Sequence, residues 1–512
     1  FLLIQSSQPS KVYAIISTSA KSMEQELLLA AVDLGSNSFR VEIGRIVNGR
    51  IVTQNYWKET IRLAAGFDET GALTDEVQER AFACLARFKE RIAGLPPERV
   101  RAVGTQAFRE ATNSEEFLRH AEEALGYRID ILTGHEEARL VFKGCVNSLP
   151  PATGRRLVVD IGGASTEFVI GENLEAKQFE SFHVGCVNTS LRFFKDGRIS
   201  EERLQKAVVA CSAEFEEVAE SFGEGHYDEA YGSAGTFGAV ADLCRQLWGT
   251  EIVTWDKLQA IKQQLLKFKN VEHISFPGLK PDRKEVIAGG LAVLIAVFST
   301  LKIKSMRVAP GALRVGLLYD LWGRVENRDT RCLSVDALSL STRVSQEQAA
   351  LVTQITVDIA KMLIPNISVE SLNLLRWAAK LHEVGTLIST SKYHRHSEYI
   401  VTHADLPGFS HAEQLLVASY VLGQRGGLSK LGNRLLNPQY CISLLALRLA
   451  VIFSHARARI ALPKMKAKTS LKGISLKIDK MWLEAHPLTN YLLEEEVTHW
   501  AKTDFQLTIE RK

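Results

Sequence analysis

A chain of 512 residues is too long to fold around one hydrophobic core and is expected to divide into three or four domains. With 46% hydrophobic and 24% charged residues it has the composition of an ordinary globular protein, which excludes a disordered or fibrous chain. A net charge of +3 gives no whole-chain bias toward polyanions, so local charge has to carry any such argument. Seven scattered cysteines (Cys84, Cys145, Cys186, Cys211, Cys244, Cys332 and Cys441), odd in number and without a C-x-x-C pair, fit reduced thiols in a cytoplasm and argue against a disulfide framework or structural zinc.

In chain order, residues 1–23 contain only a short apolar run, Val12 to Ile16, without a basic segment at the extreme N-terminus, and are expected to be a leader outside the fold: disordered, or an artefact of an upstream start. A first unit is expected over residues 24–147. It opens with AAVDLGSNSFRVEI (Ala30 to Ile43): an apolar strand that delivers Asp33, a turn through Gly35, Ser36, Asn37 and Ser38, and a returning strand that carries Arg40. A strand near Ile51 to Tyr56 follows, then an amphipathic helix from Asp75 to Ile92. The strand Val100 to Val103 ends at Gly104-Thr105, with Arg109 just beyond, where α/β folds place ligand-binding groups.

The strand Ile129 to Leu132 leads into Thr133-Gly134-His135-Glu136, the spacing of a capping box, so a helix is expected to start there. Glu136 is expected to face outward with Arg139 and Lys143, while Glu137 faces inward with Val141, Gly144 and Cys145. An inward carboxylate in a partly dry site has its pKa raised toward neutrality, so Glu137 is the candidate to orient and deprotonate an attacking water.

A second unit, residues 148–321, contains a near-copy of the first hairpin, LVVDIGGASTEFVI (Leu157 to Ile170). Aligned on Asp33 and Asp160, both copies have a strand, an Asp, an aliphatic residue, a Gly, small or hydroxylated residues and a second strand. Turns of this kind aim consecutive backbone N–H groups at one anion, with hydroxyls of Ser36, Ser38, Ser165 and Thr166 as further donors, while the Asp residues hold Mg²⁺. The phosphate-binding set is therefore Gly35, Ser36, Asn37, Ser38, Thr105, Gly162, Gly163, Ala164, Ser165 and Thr166, with Asp33, Asp160 and Glu167 as metal ligands. A helix over Glu201 to Ser221 precedes the turn Gly232, Ser233, Ala234, Gly235 and Thr236, which serves a nucleotide, another phosphate, or simply a strand-to-helix reversal. The apolar run Val286 to Phe298 is far short of the ~20 residues of a membrane-spanning helix and reads as a buried core helix, followed by a strand at Ser305 to Val308.

These motifs, DLGSNSFR, GTQAFREATN (Gly104 to Asn113), EEAR (Glu136 to Arg139), DIGGAST, GSAGT, PGALRVGLLYD (Pro310 to Asp320) and WAAKLHEVG (Trp377 to Gly385), resemble the exopolyphosphatase/guanosine pentaphosphate phosphohydrolase family over nearly the whole chain after Met23. The resemblance implies an α/β fold of two actin-like, ribonuclease H-like half-domains around a cleft, a C-terminal helical HD-like domain over residues 322–455 and a basic segment with a small α/β cap over residues 456–512. It implies a Mg²⁺-dependent hydrolase, with room for a monovalent cation, and the same Glu137 as base with Arg40 and Arg109 beside the transferred phosphoryl group. The expected substrate is inorganic polyphosphate, cleaved from its end; the alternatives are guanosine-5'-triphosphate 3'-diphosphate (pppGpp), phosphotransfer to ADP, or polyphosphate or RNA binding without catalysis. A cytoplasmic homodimer with no specific nucleic-acid partner and at most peripheral membrane contact completes the expectation. Ala164 departs from the family pattern, which usually has a third Gly, so the turn must avoid positive φ there.

Beyond Trp322 the periodicity is helical, and His382, His394, His396, His403, His411 and Asp405 invite a metal reading. The HD fold needs a His-Asp pair, whereas this chain has His382-Glu383, so a structural or polyanion-binding role is expected instead. Arg457, Arg459, Lys464, Lys466 and Lys468 form a basic run that reads as a solvated loop, or as a polyanion track if it lines a channel to the site.

Overall fold

The structure, a computed structural model, describes residues 27–47, 49–326, 328–342, 344–458 and 461–512. The expected leader (1–23) and Arg459 lie outside the described residues.

The first sheet contains β1 (Leu28–Leu34), β2 (Ser38–Val47), β3 (Arg50–Thr60), β4 (Val100–Gly104) and β5 (Ile129–Ile131) in the order β3-β2-β1-β4-β5. The second contains β6 (Arg155–Ile161), β7 (Thr166–Glu172), β8 (Glu175–Phe182), β9 (Glu229–Ser233), β10 (Val253–Thr254) and β11 (Ser305–Val308) in the order β10-β11-β9-β6-β7-β8. In each sheet a three-stranded antiparallel meander is extended by parallel strands from its first strand, β1 to β4 to β5 and β6 to β9 to β11. The sequence repeat is thus a repeat of topology, with β10 an addition at one edge. The strands β1 and β6 are central in their sheets and buried on both faces, which is why they read as unbroken apolar runs rather than alternating ones.

Four helices fix the halves. The amphipathic helix α1 (Asp75–Arg91) packs Val77, Ala81, Leu85 and Phe88 on the outer face of the first sheet. Helix α2 (Gly134–Ser148) carries Glu137, and α3 (Ile287–Thr300) is buried along nearly its whole length, as the apolar run predicts. Helix α4 (Leu313–Val325) crosses α2 at glycines: a Cβ on Gly144 would lie 2.1 Å from the Ala312 carbonyl oxygen, and one on Gly316 1.8 Å from that of Leu140. Only bare backbone fits there. The crossing is wrapped in one core that joins Leu29, Ala31 and Val103 of the first sheet to Val158, Val169 and Tyr231 of the second. The two halves therefore share a floor, and the cleft opens above it.

Three expectations are corrected here. Glu136 does not face solvent: it is 4% exposed, chelates Arg139 at 2.7 Å through both oxygens and accepts from the Gly408 amide at 3.0 Å. The loop from Asp405 to Gly408 of the helical domain covers the helix face that periodicity alone assigns to water. The box at Thr133 is also only half made, since the Thr133 hydroxyl accepts from the Glu136 amide while the Glu136 carboxylate is used elsewhere. The helix expected over Glu201 to Ser221 ends at Phe215 and continues as two short turns.

The C-terminal region packs helices Gln346–Leu363, Val369–Lys380, Tyr393–His403, His411–Gly423 and Pro438–Phe453 with a third sheet, β12 (Met465–Ser470), β13 (Gly473–Ile478) and β14 (Gln506–Arg511). Ile474, Leu476, Ile478 and Leu507 of that sheet enter the same core as the helices, so the cap is continuous with the helical domain. The region is anchored to the first half by the Glu136–Gly408 bond, by Arg324 to the Gly408 carbonyl (2.7 Å) and by His135 to Asp405 (2.6 Å). Behind this seam, Asp320 is buried among Arg101, Arg139 (2.8 Å), Arg324 (3.3 Å) and Lys143 (3.5 Å). Burial opposes its ionisation, but the cations outweigh burial and hold its carboxyl well below the usual range. Among the described residues no cysteine is disulfide-bonded and no helix is long and apolar enough to cross a membrane.

Candidate active site

The two hairpin turns face each other. A Cβ placed on Gly163 would lie 3.4 Å from Asn37 and from Ser36, so the second turn comes within van der Waals reach of the first. Gly163 is packed in turn by Gly185, where a Cβ would lie 2.4 Å from the Gly163 carbonyl oxygen. Between and around the turns is a cavity of about 380 Å³, lined by Asp33, Gly35, Ser36, Asn37, Ser38, Arg40, Thr105, Glu137, Asp160, Gly162, Gly163, Ser165, Ser233 and Gly235. Residues more than 200 positions apart in the chain are thus brought to one gap, as the repeat predicts. Ala164 has no positive φ, so its Cβ costs the turn nothing.

Strand register places a charged pair at the equivalent point of each hairpin. Asp33 lies directly across from Arg40, and Asp160 directly across from Glu167. In the first pair Arg40 Nη1 is 3.0 Å from Asp33 Oδ2, and Arg314 Nη1 approaches the same oxygen at 3.6 Å. In the second pair two carboxylates stand side by side, an arrangement that repels unless a proton or a cation intervenes. Glu167 Oε1 accepts from the Ser181 hydroxyl at 3.0 Å, but Glu167 Oε2 and Asp160 Oδ1 are buried with no partner among the described residues. Burial is the main cause that pushes the Asp160 carboxyl up to about 6, and burial with the nearby Glu137 and Asp160 charges pushes Glu167 well above its ordinary range.

This donor set answers the question of a metal. Orphaned, hard carboxylate oxygens in a buried acidic pair suit Mg²⁺, which takes one or two carboxylates and completes its shell with water and phosphate oxygens. Asp160 and Glu167 fit; Asp33, expected as a third ligand, is instead committed to Arg40 and Arg314. Among the described residues no three acidic, His or Cys side chains converge to cage an ion by themselves.

Glu137 sits on the first turn of α2, 7% exposed, facing the same gap. Both Arg109 terminal nitrogens lie 3.3 Å from its Oε2, and Arg109 is itself held by the Leu132 carbonyl (2.6 Å) and the Gln106 amide oxygen (3.0 Å to Nε). Burial raises the Glu137 carboxyl to about 7, Arg109 opposes the rise, and Asp33 and Asp160 add to it. A carboxylate half-ionised near neutrality can accept a proton from water and return it, which is what a hydrolytic base needs. Arg109 is absent from the cavity lining and meets the gap through Glu137.

Several expected residues are placed elsewhere. The Thr166 hydroxyl is fully buried and donates to the Val184 carbonyl (2.6 Å), so it is not a phosphate donor. Gly232 is packing: a Cβ there would lie 2.2 Å from the Phe237 ring. Thr236 is buried against α3 beside Gly290. Ala164 is also absent from the lining; its carbonyl accepts from Asn188 at 3.0 Å. In the GSAGT turn Ala234 has φ 60, and Gly235 leaves room for Arg283, whose guanidinium would lie 2.0 Å from a Cβ. Of the basic track, Arg457 is locked to Glu383 (2.7 and 2.9 Å), and Lys466 and Lys468 stand on β12; none of these, nor Lys464, lines the cleft. The segment is a strand of the C-terminal sheet rather than a channel loop.

The structure adds residues that the sequence left without a role. Tyr56, Lys58, Lys280, Arg283 and Arg314 also line the cavity. Lys58 pairs with Asp282 across the cleft at 3.0 Å, as Arg62 does with Glu285. Arg314 reaches from the start of α4 to Glu42 (3.1 Å) and stacks 4.9 Å over Tyr56. It lies within the quoted motif PGALRVGLLYD, and that was the available signal. In the His-Glu pair, His382 is buried and Glu383 is paired with Arg457.

Comparison with known proteins is consistent with this geometry. Residues 43–325 match the Ppx/GppA phosphatase family and residues 330–497 match domain III of Ppx/GppA phosphatases. The chain is 34% identical over 493 residues to a guanosine-5'-triphosphate,3'-diphosphate pyrophosphatase of Pseudoalteromonas translucida, covering 95% of this chain and 99% of that one. It is 36% identical over 489 residues to the protein of the same name from Aeromonas hydrophila, with 94% and 98% covered. Among solved structures, an exopolyphosphatase from Cytophaga hutchinsonii superimposes with a TM-score of 0.53 at 23% identity, covering 58% of this chain and 98% of its own, which supports the fold. The Aquifex aeolicus member of the Ppx/GppA family superimposes with a TM-score of 0.50 at 25% identity, covering 59% of this chain and 98% of its own.

Proposed function

The chain belongs to the Ppx/GppA phosphatase family, and from that premise we propose that it hydrolyses the terminal phosphoanhydride of pppGpp, releasing inorganic phosphate and leaving ppGpp. The observation that carries the chemistry is Glu137, buried, raised to about 7 and turned into the gap between two phosphate-type turns. The backbone amides of the Gly35–Ser38 turn and of Gly163 to Ser165 bind the terminal phosphates, the Gly162 amide being spent on the Ser165 carbonyl (2.9 Å), and Arg40 and Arg314, aligned by Asp33, offset charge on the transferred group. Glu137, oriented by Arg109, takes a proton from water as the water oxygen bonds to the terminal phosphorus; the bond from that phosphorus to the bridging oxygen breaks, and the bridging oxygen leaves with ppGpp. Asp160 and Glu167 would hold Mg²⁺, which supplies charge neutralisation at the phosphate oxygens. In a loose transition state, alignment and charge carry most of the rate.

The choice of pppGpp over polyphosphate rests on relatives that match along their full length and bear that name; it reverses the preference drawn from the sequence alone. Inorganic polyphosphate is the second reading, favoured by the cationic rim of Lys58, Lys280 and Arg283, which engages charge rather than a base. The test is phosphate release from pppGpp and from long-chain polyphosphate at equal concentration of ends, with and without Mg²⁺. A higher kcat/KM on pppGpp is expected; a higher value on polyphosphate selects the second reading, and no release from either rejects the hydrolase.

A further inference from the structure

The turns and guanidinium groups of the cleft account for the phosphates of pppGpp and leave its guanosine without a partner. A nucleobase leaves water most readily onto a flat aromatic surface, and β3 supplies one. Alternation along that strand sends Trp57 toward the core of the first half, with Arg91 4.5 Å over its ring, and sends Tyr56 to the opposite face, where it lines the cleft. Among the described residues that line the cleft, Tyr56 is the one aromatic side chain, and it is 46% exposed. One face of its ring is already set: the Arg314 guanidinium lies 4.9 Å from the centroid, and Arg314 is tied in turn to Glu42 (3.1 Å) and Asp33 (3.6 Å). The ring is thus steadied from behind before any ligand arrives, so a base stacked on it costs little further ordering.

Strand register fixes where the ring stands relative to the transferred phosphate. Asp33 of β1 lies across from Arg40 of β2, and Arg40 across from Lys58 of β3, a row about 10 Å long from the phosphate turn to the sheet edge. Tyr56 lies two residues along β3 from Lys58, about 7 Å further, and across from Glu42. A triphosphate held by its end at the Gly35–Ser38 turn can run along that row over Arg40 and Lys58, and its ribose then reaches the edge where Tyr56 stands. From the other half, Asp282 pairs with Lys58 at 3.0 Å and brings the cleft-lining Lys280 and Arg283 to the same edge. The cations there serve any phosphate chain. An inorganic chain gains nothing from an aromatic ring, whereas a nucleoside does.

We propose that Tyr56 is the platform on which the base of pppGpp stacks, and so the residue that favours a nucleotide over an inorganic phosphate chain. The inference rests on the pppGpp reading of the cleft. Stacking tolerates any base, so Tyr56 sets nucleotide against inorganic chain and not guanine against adenine. The test uses the full chain, follows ppGpp formed from pppGpp, and adds inorganic tripolyphosphate, which has three linked phosphates and no nucleoside, as competitor. Tyr56→Leu, which keeps an apolar cover beside Arg314 but removes the ring, should raise KM for pppGpp about tenfold and the Ki of tripolyphosphate by no more than about twofold. Tyr56→Phe, which keeps the ring, should hold KM within about twofold of the wild type. The proposal is overturned, with the pppGpp reading intact, if Tyr56→Leu leaves KM unchanged, if KM and Ki rise together, as a lost alignment of Arg314 alone would cause, or if Tyr56→Phe loses as much as Tyr56→Leu. A wild-type chain that forms no ppGpp from pppGpp overturns the reading and the proposal together.

Discussion

The two hairpins that face the cleft have the same topology and spacing, yet they carry opposite partners at the equivalent cross-strand position. The first sets Arg40 against Asp33 and neutralises it; the second sets Glu167 against Asp160 and leaves two buried oxygens without a partner among the described residues. On the proposed reading a duplicated scaffold is divided by function: one copy would present guanidinium groups to phosphate, and the other would hold a divalent cation between its two acids. Glu137 comes from neither hairpin but from the helix between them, and both Asp33 and Asp160 contribute to raising it.

That division can be broken from either side. The largest effect is expected when the shared base is removed: Glu137→Gln should lower phosphate release by about 100-fold or more while substrate affinity, read by equilibrium binding, is kept. Making the first hairpin resemble the second should come next. Arg40→Glu places a second acid across from Asp33 and should cost about tenfold to 100-fold in kcat/KM. It should also lower the melting temperature at alkaline pH, because paired acids have raised pKa values and their stabilising protons are lost as pH rises through them.

A subtler change sharpens the role of Arg109. This cation lowers the Glu137 pKa, so Arg109→Gln should move the acid limb of the kcat/KM profile from near 7 to higher pH and reduce its plateau. The smallest effect is expected at Ala164→Gly, since Ala164 has no positive φ and its Cβ is already accommodated: activity should stay within about twofold, with stability lowered by at most ~1 kcal/mol.

Much of this arrangement was legible in the chain. The apolar strands, the two Asp-bearing turns and the inward face of α2 are local patterns, so the cleft and Glu137 follow from them. What stayed hidden depends on long-range packing. Helix periodicity gives the face on which Glu136 lies but not the loop at Gly408 that covers it. Thr166 looked like a phosphate donor because hydroxyl spacing cannot reveal that the Val184 carbonyl already takes its proton. Arg283, Lys58 and Arg314 arrive from three distant segments, and no local pattern links them. The basic residues of β12 were read from composition, whereas their strand is placed by Ile474 and Leu476 of the neighbouring β13, which pack into the helical core.

The most direct test of the division between the hairpins is the Mg²⁺ dependence of phosphate release, measured for the wild-type chain and for Glu167→Gln. The wild type should show saturable activation, and the variant should need at least about tenfold more Mg²⁺ for half-activation, with a lower maximum. An unchanged Mg²⁺ response in Glu167→Gln would contradict the assignment of the second hairpin as the cation-holding half.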